Sequence, residues 1–157
     1  MDVADVAKML TDQGKTVSTA EACTCGLVGY LLGTVPGSSK YYPGGVVAYT
    51  GGLKQKVLGV SDAIIDAHGT VSEETAKAMA KGVRELTDTD FAVSTTGVTG
   101  PAGGHSGLPV GTFWVGLSVK DGHDSAVEIR VGSDRDGNKQ GAAQAAIDLL
   151  GRHLQGG

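Results

Sequence analysis

The apolar positions of this chain change period several times, and each change marks an element. Val3, Val6, Ala7 and Leu10 recur at helical spacing, which predicts an amphipathic helix over Val3 to Gln13. Gly14 follows where a helix C-terminal cap would sit. Thr16 to Ala20 is short and β-branched and reads as a buried strand. Gly26 to Leu32 reads as a second helix, whose N-terminus faces the Ala22–Cys25 loop, a natural place for an anionic group. Gly45 to Thr50 is the next strand. Gly51-Gly52 breaks it, and Lys54 to Leu58 then makes one or two helical turns. Ser61 to Ala67 is a short helix capped by Ser61. In Ser72 to Leu86, Ser72 caps, Glu73 and Glu74 favour the positive end of the dipole, and Ala76, Met79, Ala80 and Val83 form the apolar face. Phe91 to Thr95 is a strand running into a glycine-rich loop. Thr112 to Val119 and Ala126 to Val131 form a hairpin around Asp121-Gly122, and a helix from Asp136 or Asn138 to Leu154 closes the chain.

Helices that interleave with strands and then give way to a hairpin imply a layered α/β domain with a mixed sheet. With 157 residues, no internal repeat and no linker, residues 1-157 read as one domain. A net charge of -4 and no cluster of Lys and Arg argue against nucleic acid as a partner. No apolar run reaches membrane-spanning length, and Asp2 and Asp5 do not suit a secretory signal, so no membrane association and a cytoplasmic location are expected. Cys23 and Cys25 stand too close for a disulfide and lack the second pair that a metal site needs. They read as reduced, partly buried thiols, and no metal is expected.

Glycine changes the picture. There are 26, gathered at 44-45, 51-52, 97-111 and 132-141 and separated by strand-like runs. Such clusters indicate tight turns or close approach to a ligand. The loop from Thr95 to Gly104 is neither a Walker A loop nor a dinucleotide fingerprint. Its backbone amides could cradle an anion. His105, in the same loop, is given no role. A second candidate is the set of Ser38-Ser39 after a Pro-Gly turn, Tyr49 at a strand end and Lys54. A lysine held unprotonated can take a serine proton, directly or through a phenol, and the serine can then attack a carbonyl.

These segments together resemble the CinA C-terminal domain family, whose stand-alone members are nicotinamide-nucleotide amidases. The resemblance rests on Thr19-Ala20-Glu21, Cys23-Thr24, Gly26, Val35 to Ser39, Gly45 to Tyr49, Lys54, Leu58-Gly59-Val60, His68-Gly69 with Val71 to Glu74, Gly97, Gly100-Pro101, Gly103-Gly104 and Pro109 to Thr112. It implies a three-layer α/β/α domain with a mixed sheet. It also implies hydrolysis of the carboxamide of nicotinamide mononucleotide to nicotinate mononucleotide and ammonia, without a cofactor. By the same resemblance Ser39 is the nucleophile, with Tyr49 and Lys54 assisting. Glu21, Thr24, Gly100, Gly103, Gly104 and Lys139 bind the nucleotide, and the protein is a homodimer. Other family members carry an N-terminal domain with pyrophosphatase-type activity. This chain starts at the helix before Thr16 and is expected to lack it.

The chain departs from the family pattern at several places. Ala-Glu-Ser-Cys-Thr-Gly-Gly reads here with Ala22 for the serine and Cys25 for the first glycine. Ser-Asn-Glu-Ala-Lys reads Thr50-Gly51-Gly52-Leu53-Lys54, and Lys139 stands for a late arginine. These changes keep two other readings open: a nucleotide-binding module with little or no catalysis, and an amidase for another small amide.

Overall fold

The computed structural model describes residues 1–104 and 106–156, so His105 and Gly157 lie outside the described residues. Helix α1 (Val3–Gln13) starts on Asp2, whose side chain accepts from the Ala4 amide, and stops on left-handed Gly14. Strand β1 (Val17–Glu21) is buried throughout. Helix α2 (Leu27–Gly33) and a single 3-10 turn at Ser38–Lys40 lead to strand β2 (Gly44–Val47). Helices α3 (Gly51–Leu58), α4 (Asp62–His68) and α5 (Glu73–Thr87) follow. Strands β3 (Phe91–Gly97), β4 (Thr112–Val119) and β5 (Ser125–Arg130) precede the long helix α6 (Arg135–Leu154).

The five strands form one sheet in the order β2-β1-β3-β4-β5. β1 is parallel to β2 and to β3, and the β3–β4 and β4–β5 pairs are antiparallel. Helices α1, α2 and α6 pack on one face and α3, α4 and α5 on the other, giving the expected three-layer α/β/α domain with a mixed sheet. Alternation along the strands feeds both layers. Val17, Phe91, Val93 and Val115 join Leu10, Leu32, Ile147 and Leu150 on the first face. Ala20 and Ala92 join Met79, Val83 and Leu58 on the second. Among the described residues no helix is long and apolar enough to cross a membrane.

Several boundaries differ from the sequence reading, and the larger shifts have local reasons. β2 ends at Val47, not Thr50. Its last ladder bond runs from the Ala48 amide to Glu21 O (2.8 Å), after which Thr50 caps α3 by accepting from the Leu53 amide. The Gly51-Gly52 pair is therefore the first turn of α3 and not a break before it. β3 continues to Gly97 because the antiparallel register of β4 pairs Thr96 with Trp114 and Gly97 with Phe113. α6 begins at Arg135 because Asp134 accepts from the Gly137 amide at 2.8 Å.

Two helical glycines have opposite surroundings. A Cβ on Gly82 would run into the Leu58 carbonyl, whereas one on Gly52 meets nothing within 4 Å. Gly82→Ala should therefore destabilise the domain by about 1–3 kcal/mol through forced separation of α3 and α5. Gly52→Ala should stabilise it by roughly 0.5–1 kcal/mol through reduced unfolded-state freedom. Denaturant melts of the two variants beside the parent check both signs.

Candidate functional site

The chain leaving β1 covers one face of the sheet and the chain leaving β2 covers the other. This opens a crevice at the carboxyl ends of the strands, where open α/β sheets hold ligands. Lys54 in α3 reaches into this end. Its Nζ donates to Ala48 O at 3.1 Å and Tyr49 O at 3.3 Å, and the residue is only 2% exposed. Burial lowers its pKa from the usual 10.5. Burial also pushes the Cys23 thiol up to about 12, so it stays neutral. A neutral Lys54 amine has two N–H groups, matched by the two carbonyls, and keeps a lone pair that can receive a proton.

Above the lysine, the Tyr49 ring is half exposed and its phenol accepts from Arg135 Nη2 at 3.0 Å. Arg135 Nη1 donates to Thr99 Oγ1 at 2.7 Å and to Gly100 O at 2.6 Å. One guanidinium therefore ties the β2–α3 junction to the glycine-rich loop. Asn138 supports it from the next turn of α6, donating to Thr99 O at 3.0 Å. Gly100 has φ +80, and a Cβ there would also strike Val110, so only glycine fits. Tyr49, Thr70, Thr99, Gly100, Gly104 and Arg135 wall a cleft of about 260 Å³.

The residues expected from the sequence separate into three groups. Tyr49 and Lys54 meet through the Tyr49 carbonyl, and Gly100 and Gly104 line the adjoining cleft, with Gly103 exposed on the same loop. Lys139 stands one turn along α6 from Arg135, beside Thr24, Cys25 and Gly26. Glu21 and Thr24 are turned inward. The Glu21 carboxylate accepts from the Val28 amide (2.8 Å), the Gly29 amide (3.0 Å) and the Thr24 hydroxyl (2.5 Å). The anionic group anticipated at the start of α2 is thus the chain's own carboxylate, which takes the hydroxyl proton of Thr24, a residue that also borders the depression at Lys139.

Ser39 is not brought to the site. It lies in the 3-10 turn before β2, where Tyr41 O accepts from the Val17 amide at the start of β1. Tyr49 and Lys54 lie beyond the other end of the same strands. β1 from Val17 to Glu21 spans about 13 Å, so within one chain Ser39 cannot reach the lysine. The position that does sit at the crevice is Ala22, whose amide donates to Thr95 O at 3.0 Å directly after β1. That is the position where the resembled pattern has serine. Cys25, exposed and held at φ 51, also carries a strained backbone where that pattern has glycine. The sequence reading missed Arg135. The signal available was its place four residues before Lys139, one helical turn away on the same face.

The lysine supplies a pH test. Where its folded-state pKa is lowered, the unfolded chain binds the proton more readily than the native one. At pH values below the folded pKa both states are charged and the full desolvation penalty opposes folding. Stability then rises with pH up to 10.5, above which neither state is charged. In Lys54→Met that rise should disappear, so the parent gains on the variant as pH rises through the lowered folded-state pKa toward 10.5. Denaturant titrations across that range would refute the assignment if the two curves ran parallel.

Comparison with known proteins agrees with this architecture. The family model described as "CinA C-terminal domain" matches residues 2–154. A putative competence-damage inducible protein of Halothermothrix orenii is 40% identical over 151 residues, covering 96% of this chain and 37% of the relative. A CinA-like protein of Synechocystis is 45% identical over 153 residues, covering 96% of this chain and 36% of the relative. The chain thus spans little more than a third of these relatives. The crystal structure of a competence-damaged protein (CinA) superfamily protein from Klebsiella pneumoniae superposes with a TM-score of 0.95 at 30% identity, covering 99% of this chain and 96% of that one. A competence/damage inducible protein from Agrobacterium tumefaciens gives 0.90 at 34% identity, covering 99% and 96%.

Proposed function

Because the chain belongs to the CinA C-terminal domain family, we propose that it binds a pyridine nucleotide of the nicotinamide mononucleotide type beside Arg135 and turns over its carboxamide slowly or not at all. The carrying observation is the placement of two residues relative to Lys54: a buried alanine, Ala22, directly after β1, and Ser39 at the far end of the sheet. The binding half draws on the cleft of small residues and on Arg135, a fixed cation beside backbone carbonyls that can take a phosphate or a carboxamide oxygen. The slow-turnover half follows from chemistry. A serine nucleophile needs its hydroxyl within hydrogen-bond reach of its base. Lys54 has no hydroxyl of Ser39 within that reach.

A second reading, amide hydrolysis with Lys54 as base, is favoured by the lowered pKa of that amine. Without a serine, Lys54 would take a proton from water. The hydroxide adds to the carboxamide carbon, the Lys54 ammonium returns its proton to the amide nitrogen, and the C–N bond breaks to release ammonia. Homodimerisation belongs to the same proposal. It is supported by the unpaired edge of β2 and by Val47, Leu53 and Val57 exposed around it.

Calorimetric titration with nicotinamide mononucleotide, run beside an ammonia-release assay, tests the proposal. The expectation is saturable binding with ammonia release near background. Ser39→Ala should change neither, and Ala22→Ser should raise release about tenfold or more by supplying the hydroxyl. Robust turnover in the parent that vanishes in Ser39→Ala would instead make Ser39 the nucleophile. Absence of binding would sink the nucleotide reading altogether.

A further inference from the structure

The cleft beside Arg135 does not end there. It shares Arg135 and Thr99 with a shallow depression over the start of α6. That depression shares Asp136 with the one around Lys139, Cys25 and Gly26. The latter shares Leu27, Tyr30 and Asp136 with a groove of about 440 Å³ between α2 and α6. Neighbouring cavities thus share wall residues in sequence from the glycine-rich loop, past Lys139, to the groove. A mononucleotide seated at Arg135 would leave the groove empty.

The groove has the chemistry of a nucleoside site. Tyr30 stands 68% exposed with Leu27 and Leu31 beside it, an aromatic face that no packing requirement explains. Across from it, Asp136, Gln140 and Gln144 form one stripe of α6, about 12 Å long from first to last. Gln140 donates to Asp136 at 2.7 Å, and Gln144 donates to Met1 O at 2.7 Å and Asp148 at 2.9 Å. Those bonds fix both amides and leave their carbonyl oxygens to accept from a base or a ribose. Lys139 sits between the cleft and the groove, where a linking phosphate would pass. Its cation offsets the nearby Asp136 carboxylate.

We infer that the ligand is a pyrophosphate-linked dinucleotide, with its pyridine half beside Arg135 and its second nucleoside against Tyr30 in the α2–α6 groove. The inference rests on the pyridine-nucleotide reading of the cleft and extends it to a second site. Stacking on a tyrosine and a phosphate at Lys139 add interactions that a mononucleotide lacks.

The test is calorimetric titration of the whole chain with three probes: nicotinamide mononucleotide, NAD+ and AMP. NAD+ should bind about tenfold or more tighter than the mononucleotide, and AMP should bind on its own. Tyr30→Ala should remove the NAD+ advantage and abolish AMP binding while leaving mononucleotide affinity unchanged. Tyr30→Phe should keep the advantage, because stacking needs the ring and not the hydroxyl. NAD+ binding no tighter than the mononucleotide, with AMP silent, overturns the groove and spares the cleft. AMP binding that depends on Tyr30, with the mononucleotide silent, overturns the pyridine assignment and spares the groove. Silence of all three overturns both.

Discussion

The buried carboxylate of Glu21 organises the end of the molecule that holds the site. It closes the innermost parallel strand and receives two amides of α2 and the Thr24 hydroxyl. Burying an unpaired carboxylate would cost several kcal/mol, and charge-assisted bonds of roughly 1.5–3 kcal/mol each offset that cost only when all are made. The start of α2 is therefore locked to the end of β1, and the loop between them has one shape. That shape buries Cys23, sets Ala22 against β3 and lifts Cys25 to the surface. A short helix with a glycine N-cap and no side-chain cap of its own would otherwise be poorly fixed.

The same end of the sheet solves a second burial problem in the opposite way. Among the described residues Lys54 has no carboxylate to neutralise it and is instead held by the two carbonyls that β2 releases when its pairing stops. Desolvation then favours the neutral amine. Those carbonyls belong to the segment that Arg135 anchors through the Tyr49 phenol, and Arg135 also grips the glycine-rich loop. Loop, junction and lysine form one hydrogen-bonded chain running through an exposed guanidinium. A ligand anion that draws on Arg135 must compete with Thr99, Gly100 and Tyr49, so binding in the cleft is felt at the carbonyls that hold the amine.

Element types were legible in the sequence wherever period and caps agreed. α1 with Gly14, α5 with Ser72 and β4 fall within a residue of their expected bounds, because amphipathic spacing and capping are local properties. The ends of β2 and β3 were not legible. A strand stops where its partner's ladder stops, and that partner lies far along the chain. The inward turn of Glu21 and Thr24 was not legible for the same reason. A polar residue after a strand can face a ligand or the next helix, and only the packing of α2 decides between them.

The position of Ser39 is a different kind of miss, because the sequence already held the information against it. A parallel strand carries the chain from one edge of the sheet to the other, so residues that flank a single strand stand at opposite edges. The strand expected from Gly45 onward lies between Ser39 and Tyr49, and recognising it as parallel to β1 is enough to part them. Residues that follow different parallel strands, by contrast, emerge at a common edge. Ala22 after β1, Tyr49 after β2 and the loop from Val98 after β3 obey that rule. A catalytic set in such a sheet should be sought among segments that each follow a strand. By that criterion Ala22, directly after β1, is the position to weigh before Ser39.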